Sequence, residues 1–217
     1  MNRYITAGIA ALCLANTVAA ANSGIELKAS TLGLGIEFAH NFNDYIGARV
    51  GFNNFSYHYN DTQGGVDYNM DFKLRSYDAL VDWRPFGGSF RVTGGLVHNS
   101  NRVHGTAASA NSYTIGTTTY TPAEIGTLTG DVQFDPTAPY LGFGWGMSPA
   151  DTGFGTSIDF GVVRQGTPQT SLVAEGGTLV SDPQFQSDLA QEQQQFQSDA
   201  NSFRTYPVVS IGVNYRF

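Results

Sequence analysis

Two residues near the middle of the chain, His98 and Ser100, have the types and the spacing that nucleophilic catalysis would need. Residues two apart on an extended strand lie on the same face, so a histidine base could reach a serine hydroxyl there. Such a pair also needs a third group, usually an acid, that orients the histidine. The alternative is that these polar residues simply mark the outer end of a strand and the start of a loop.

The remaining histidines and acids do not form a recognisable metal site. The other histidines are isolated in predicted turns or loops: His40, His58 and His104. No two of them stand at the spacing that zinc sites use. Three acids of one polar segment, Asp61, Asp67 and Asp71, could bind Ca²⁺ weakly or face divalent ions held by a neighbouring molecule, but a solvated acidic loop is the simpler interpretation. We therefore predict no metal and no cofactor.

The N-terminus predicts export from the cytoplasm. Arg3 precedes an apolar run at residues 4–14, and small residues follow up to Ala21. Cleavage after Ala21 would divide the chain into a signal peptide, residues 1–21, and one mature domain, residues 22–217. The single cysteine, Cys13, would leave with the signal, which excludes disulfides and thiol chemistry. A lipoprotein would need Cys13 as the lipidated residue, and Leu12 is a poor neighbour for that processing.

Composition favours strands and a membrane. The formal net charge of −7 argues against nucleic acid as a partner. Beyond the signal there is no apolar run of about 18 residues, so a transmembrane helix is not predicted. The 26 glycines, 15 phenylalanines and 11 tyrosines, with only 13% charged residues, suit closely packed aromatic strands. The membrane structure that needs no apolar run is a β-barrel.

The last nine residues form the clearest strand. From Val209 to Phe217, apolar residues alternate with polar or small ones, which gives one apolar and one polar face. An aromatic ending on such a strand resembles the terminal strand of outer-membrane barrels, which the barrel-assembly machinery recognises. We expect Tyr215 and Phe217 to form this assembly signal. The alternative is the final strand of a soluble β-sandwich.

Three hairpins share the same alternation. Their turns are short, at residues 41–44, 85–88 and 148–151, whereas the connections between hairpins are long and polar, at 60–67, 105–126 and 165–204. Short periplasmic turns and long outer loops are the asymmetry of outer-membrane barrels. Eight strands result if residues 24–42 split into two short strands around Ser30 and Thr31; otherwise the count is seven. An eight-stranded barrel is filled by side chains and is not an open pore.

One segment has helical spacing. Asp182 and Pro183 form a typical N-cap and first helical residue, and apolar residues recur at helical intervals through residues 184–203. We predict a short amphipathic helix in the last long loop that packs over the barrel mouth. Binding of a partner is the alternative role.

Charged residues of the strands should face inward. If the first hairpin turns about Asn43, Glu37 lies opposite Arg49; if the second turns between Phe86 and Gly87, Asp82 lies opposite Arg91. Opposite charges directly across a strand pair stabilise it. The predicted lumen network has six members: Glu37, Arg49, Asp78, Asp82, Arg91 and Asp159. We interpret it as structural, and a gate or proton path is the alternative.

Several segments resemble one family. They are TLGLGIEF at 31–38, PFGGSFRVTGG at 85–95, and residues 113–116, 119–130, 138–144, 182–185 and 206–209. Together they resemble a family of small proteobacterial outer-membrane proteins known only as β-barrels and similar in style to the OmpA transmembrane domain. The resemblance covers nearly the whole mature chain and implies a location and a fold. It implies no activity, and no catalytic or ligand residues.

A second, shorter resemblance concerns His98-Asn-Ser-Asn101. It is similar to the His-x-Ser-Asn signature of the lipid A 3-O-deacylase family. The match then fails, because Arg102 follows where that family has a small residue, and Ser112 stands where its acid would be; Glu124 is the nearest glutamate. A lipid A-modifying hydrolase therefore remains an alternative only.

The sequence thus predicts a monomeric antiparallel transmembrane β-barrel of about eight strands in the bacterial outer membrane. Its expected role is structural or interaction-related at the cell surface, without catalysis. The alternatives are a narrow porin-like channel and the hydrolase. Expected partners are outer-membrane lipid, lipopolysaccharide and the barrel-assembly machinery, with no nucleic acid.

Overall fold

A computed structural model describes residues 22–63, 66–109 and 112–217. The predicted signal peptide, residues 1–21, lies outside the described residues. The strands are β1 (Ser23–Ser30), β2 (Gly33–Asn41), β3 (Ile46–Gln63), β4 (Val66–Trp83), β5 (Phe90–Asn99), β6 (Arg102–Ser109), β7 (Tyr113–Ile115), β8 (Thr118–Tyr120), β9 (Gly126–Gln133), β10 (Thr137–Trp145), β11 (Gly153–Arg164), β12 (Gln169–Gly176) and β13 (Thr205–Arg216). The helices are α1 (Pro122–Ile125) and α2 (Pro183–Ala200), and a 3-10 turn covers Asn201–Arg204. None of the helices in these ranges is long and apolar enough to cross a membrane.

Eight of these strands close a barrel. Their order around the barrel is β4, β3, β2, β1, β13, β11, β10 and β5, and the pairing of β5 with β4 completes the circle. Neighbours are antiparallel throughout. The predicted eight-stranded antiparallel barrel is confirmed, including the division of residues 24–42 into two short strands.

The barrel strands alternate between an exposed apolar face and a buried interior. On β10, Leu141, Phe143 and Trp145 are exposed, whereas Gly142 and Gly144 between them are buried. This is the period of two that a β-strand imposes on its side chains. We call the exposed apolar side chains around the barrel the apolar belt; it includes Leu27, Leu34, Ile36, Leu141, Phe143 and Ile211. The arrangement is the inverse of a water-soluble fold.

The first tight turn sets a strand register that differs from the predicted one. The Asn43 side-chain oxygen accepts the N–H groups of Tyr45 and Ile46, each at 2.8 Å. These bonds close a loop centred on Asp44 and not on Asn43. The prediction that Glu37 stands opposite Arg49 is therefore wrong, because Glu37 pairs with Gly51 and Arg49 pairs with Ala39.

The second turn also differs from the predicted one. Residues 84–89 separate β4 from β5, and Gly87 adopts a φ of 64° in this turn. The longer turn shifts the register by two residues. The prediction that Asp82 stands opposite Arg91 is wrong, because Asp82 pairs with Thr93 on β5. The end of the barrel that carries these turns is called the short-turn end, and the opposite end the long-loop end.

A sheet continues the barrel wall at the long-loop end. β3 and β4 are each 18 residues long, and they extend past the barrel. β6, β9 and β12 pair beside the extended part of β4. We call this five-stranded extension the collar. The prediction of a long connection at residues 60–67 is wrong, because β3 continues to Gln63 and pairs with β4 from Val66. The other two connections are long, but much of their length is paired β-structure.

A second apolar core lies on the collar. The buried side chains Phe185 and Leu189 of α2 pack with Ile115, Tyr120 and Ile125. The Asp182 carboxylate accepts the N–H groups of Gln184 and Phe185, which caps the helix as predicted. The predicted helix is confirmed, with its last turn tightened to a 3-10 turn.

Candidate functional site: the barrel lumen and the collar

Arg49 is the centre of a group of buried ion pairs in the lumen. Its guanidinium lies 3.0 Å from Glu37 Oε1, 2.8 Å from Asp82 Oδ2 and 3.6 Å from Asp159 Oδ2. The Nε–Oδ2 contact with Asp82 is a close ion pair that lies off the angle of a hydrogen bond. A second guanidinium nitrogen of Arg49 donates to Asp82 Oδ1 at 3.0 Å. One cation thus holds carboxylates from three strands.

Two further cations complete these pairs. Arg91 donates to both oxygens of Asp159, from Nε at 3.0 Å and from a terminal nitrogen at 2.7 Å. This two-point geometry is the strongest form of the arginine–carboxylate pair. Lys28 Nζ donates to Glu37 at 2.7 Å and to Asp78 at 3.3 Å. Strands that are distant in the sequence are therefore joined across the lumen.

The lumen contains equal numbers of buried cations and buried acids. With Arg84, 3.9 Å from Asp82, the lumen group has four cations and four acids, and all eight side chains are at most 9% exposed. We call it the charge cluster; its members are Lys28, Arg49, Arg84, Arg91, Glu37, Asp78, Asp82 and Asp159. Burial of an unpaired charge is costly, and an ion pair offsets that cost only when both partners remain.

All six residues of the predicted lumen network lie in the charge cluster, but their partners differ from those predicted. Arg49 reaches Glu37 along a diagonal, since cross-strand diagonal neighbours are within reach of long side chains. Asp82 contacts Arg49 and not Arg91. Lys28 and Arg84 were not predicted as members. For Lys28 the signal was present, because Glu26 and Lys28 alternate with apolar residues on β1.

Buried apolar side chains, called the apolar layer, also fill the lumen. On β5 and β11 they lie nearer the long-loop end than the charged residues, whereas on β4 Leu80 lies between Asp78 and Asp82. The side chains of the layer are at most 7% exposed and pack together: Leu32, Leu80, Val97, Ala138, Tyr140, Val163 and Val208. The Tyr140 ring covers Gly142 and Gly161, where a methyl group would overlap it. The lumen is filled by side chains, as expected for eight strands.

His98 and Ser100 lie on the exposed side of the wall, as their spacing indicated. The His98 ring is 3.3 Å from the Thr137 hydroxyl, and the Ser100 N–H donates to the Arg75 carbonyl at 2.8 Å. Within the described ranges, no hydrogen bond joins His98 to Ser100 and no carboxylate contacts His98. Glu124 caps α1 instead, and its hydrogen bonds from Thr121 hold the pKa of that carboxyl below its usual value.

Tyr215 and Phe217 belong to an aromatic cluster at the short-turn end. The Tyr215 ring centroid lies 4.9 Å from that of Phe154 and 5.5 Å from that of Phe217, both in edge-to-face contact. Such contacts orient aromatic rings and stabilise the strand pair. The barrel therefore has an exposed aromatic group on its final strand.

Histidines and aspartates alternate across the outer face of the collar. Direct cross-strand partners are His58 with Asp71, Asp71 with His104, and His104 with Asp131. His58 contacts Asp71 at 2.6 Å, and His104 contacts Asp131 at 3.1 Å. We call these four residues the histidine–aspartate row. No group of three metal-ligating side chains is found in the part of the chain that the structure describes.

The carboxylates of this row are stabilised in their charged form. The hydrogen bond from His58 lowers the pKa of Asp71. Burial by itself would raise the pKa of Asp131, but hydrogen bonds from His104 and Arg102 bring that pKa below its usual value. In the collar core, the Tyr120 hydroxyl donates to Asp188 at 2.7 Å, which lowers the pKa of Asp188 and raises the pKa of Tyr120.

Comparison with known proteins identifies a fold and not a family. No family model and no curated protein matches the chain. The solved structure of Acinetobacter baumannii CarO is similar at a TM-score of 0.63 and 22% identity, over 94% of this chain and 100% of that one. CarO2 of the same organism is similar at a TM-score of 0.61 and 21% identity, over 90% and 98%. At these identities the likeness is one of fold alone.

Proposed function

We propose that this protein is an outer-membrane β-barrel that serves as a closed anchor for an interaction surface, the collar, and has no catalytic activity. The observation that carries the proposal is the inverted distribution of side chains. Leu34 is 68% exposed and Leu27 is 65% exposed, whereas the carboxylate of Glu37 is fully buried. Such a surface is unfavourable in water and suits hydrocarbon.

Strand length agrees with this placement. A barrel strand crosses the hydrocarbon core in about 9–11 residues when it is tilted. β2 and β10 have 9 residues and β5 has 10. We infer that the short-turn end faces the periplasm and the long-loop end faces outward. In this orientation residues 1–21 act as the signal peptide, and the assembly machinery recognises the aromatic pair Tyr215 and Phe217.

The filled lumen favours an anchor over a channel. Water and ions would have to pass both the charge cluster and the apolar layer, and a layer of packed apolar side chains is a barrier to ions. A narrow channel is the second candidate function. The charge cluster favours the channel, because its side chains would line a polar path if the apolar layer moved. The hydrolase has the weakest support, because His98 and Ser100 lack a contact with each other.

Electrophoretic heat-modifiability of the protein extracted from outer membranes is the first test. We expect faster migration of the unboiled sample, because a closed barrel resists detergent, and cleavage of residues 182–203 by protease added to intact cells. Recovery from the periplasm as a soluble protein without a mobility shift would contradict the proposal.

Two measurements separate the alternatives from the anchor. In planar bilayers we expect no steady conductance, whereas ohmic steps would favour the channel. Overexpression should leave the mass of lipid A unchanged. A mass shift that disappears in the Ser100→Ala variant would favour the hydrolase.

A further inference from the structure

Basic side chains of the collar share one outward face directly above the apolar belt. On β4, the exposed positions Trp83, Val81 and Tyr77 are continued by Arg75 and Lys73, because residues two apart lie on one face. On β5 and β6, exposed Leu96, His98 and Ser100 are continued by Arg102. Lys73 and Arg102 are direct cross-strand partners. We call Lys73, Arg75 and Arg102 the basic row.

The height of the basic row matches the headgroup region of a bilayer. Tyr77 is 52% exposed in the belt, and its ring lies 5.1 Å from that of Phe52. Aromatic side chains of membrane proteins concentrate at the interface with water. At the rise and tilt of a barrel strand, Arg75 lies about 5 Å and Lys73 about 10 Å farther out than Tyr77.

Of the basic row, only Arg102 forms an ion pair among the described residues. Two like charges placed directly across a strand pair, as Lys73 and Arg102 are, destabilise the pair unless an anion lies between them. Arg102 contacts Asp131 at 2.8 Å, and the same carboxylate contacts His104 at 3.1 Å. Asp71, two residues before Lys73 on the same face of β4, contacts His58. Within the described ranges, Lys73 and Arg75 form no ion pair.

The remaining exposed groups of this face suit a sugar headgroup. Ser56 is the cross-strand partner of Lys73, Gln133 is the partner of Arg102, and Ser100 adjoins Arg75. Hydroxyl and amide groups can donate to and accept from sugar hydroxyls. Arginine and lysine supply the donors that phosphate oxygens accept. A molecule with phosphates on a sugar and with acyl chains carries the chemical groups that these side chains and the apolar belt below them bind.

We propose that the basic row binds the phosphate groups of a phosphorylated glycolipid in the outer leaflet, with its acyl chains against the apolar belt beside Tyr77 and Leu96. The inference rests on the proposed location in the outer membrane and names the lipid partner of that surface. The continuity of the row with the belt selects a lipid over a soluble polyanion. The chain as a whole is acidic, at a formal charge of −7, so the attraction is local.

The test measures binding by the folded protein in neutral detergent. Diphosphoryl lipid A is titrated, and its dephosphorylated form, phosphatidylcholine and inorganic phosphate are titrated in parallel. We expect saturable binding of diphosphoryl lipid A, weakened by salt, and much weaker binding of dephosphorylated lipid A and of zwitterionic phosphatidylcholine. Each basic side chain near an anionic lipid surface contributes roughly fivefold in affinity, so Lys73→Gln with Arg75→Gln should weaken binding roughly 25-fold.

Two variants serve as controls. Arg204→Gln removes one positive charge at the same end of the barrel, in the 3-10 turn before β13 and outside the row, and should leave the affinity unchanged. It is compared with Lys73→Gln alone, which also removes one charge and should weaken binding roughly fivefold. Arg75→Lys keeps the charge and should retain most of the affinity. Equal affinity for dephosphorylated lipid A, or an equal loss with Arg204→Gln, overturns the inference. Binding of inorganic phosphate with the same affinity as lipid A would also overturn it, because the site would then be one for a free anion.

Failure of this inference is distinguishable from failure of the proposed function. Every variant is first tested for heat-modifiability and for recovery in the outer membrane. A protein that keeps both properties but has no preference for phosphorylated lipid is still an outer-membrane anchor. A protein that lacks them contradicts the anchor itself.

Discussion

The lumen and the outer face of the collar contain the same kinds of charged residue in opposite circumstances. In the lumen, Arg49 and Arg91 are at most 5% exposed, and each contacts at least one carboxylate. On the collar, Lys73 and Arg75 are exposed and have no carboxylate within ion-pair distance among the described residues. Loss of solvation makes a partner essential for a buried charge, whereas water or a ligand can satisfy an exposed one.

The largest expected effect comes from removing the central cation of the lumen. Arg49→Ala leaves the carboxylates of Glu37, Asp82 and Asp159 without their shared partner. We expect a loss of about 3–5 kcal/mol in the free energy of unfolding, measured by urea titration of the folded band in detergent. Arg204→Ala, an exposed arginine, should change the same quantity by less than about 0.5 kcal/mol. Similar losses in the two variants would remove the distinction between buried and exposed charges.

The next effect separates the collar from the barrel. Phe185 is fully buried against Tyr120, with ring centroids 5.1 Å apart. Phe185→Ala should destabilise the packing of α2 by about 3 kcal/mol because it leaves a cavity. We expect faster proteolysis of residues 182–203 while the heat-modifiable mobility of the barrel is retained. If the mobility shift were lost as well, collar and barrel would unfold as one unit.

A smaller effect is expected at the N-terminus of α2. Asp182→Ala removes the side chain that accepts the N–H groups of Gln184 and Phe185. Loss of an N-cap costs about 1 kcal/mol, so proteolysis of residues 182–203 should increase less than in Phe185→Ala. Asp182→Asn keeps an acceptor and should behave nearly as the unaltered protein. If proteolysis increased equally in Asp182→Asn, the negative charge of Asp182, and not its hydrogen bonds, would stabilise the start of α2.

The smallest effect is a dependence on pH that is confined to the collar. The pKa values of Asp71 and Asp131 are lowered in the folded state, so the unfolded state binds more protons in acid. Their contribution to stability is present above the unfolded pKa of about 3.9 and is lost as the pH falls further. The hydrogen-exchange protection factors of β6 and β9 amides, each referred to the unfolded rate at the same pH, should therefore fall below that pH. Asp71→Asn with Asp131→Asn should weaken this dependence, and an unchanged profile would exclude the row as its source.

Local patterns in the sequence account for the barrel elements. Alternation from Val209 to Phe217 identified β13, and the same period placed Glu37, Arg49 and Asp82 on the inner face. Asp182 and Pro183 marked the start of α2. These features depend on neighbouring residues and on the geometry of one strand or one helix, which a sequence shows directly.

The partners of the lumen charges required more than alternation. The Asn43 side chain lengthens the first turn and moves the register by two residues. A shift of two keeps every side chain on its predicted face while it changes the residue opposite. The sequence could therefore predict that these charged side chains lie on the inner face of the barrel. It could not predict the contacts of Arg49 with Asp82 and of Arg91 with Asp159.

By itself, the sequence determined the period of two in the strands, the polar interior, the tight turns at one end and the capped helix. Only the tertiary structure decided that residues of the three connections predicted to be long pair as a collar, because β6, β9 and β12 find partners far away in the chain. It also decided that Lys73 and Arg102 meet on one face above the apolar belt. Pairing between distant strands depends on how far each strand extends and on which strand edges lie free beside it, and neither is contained in the pattern of any single segment.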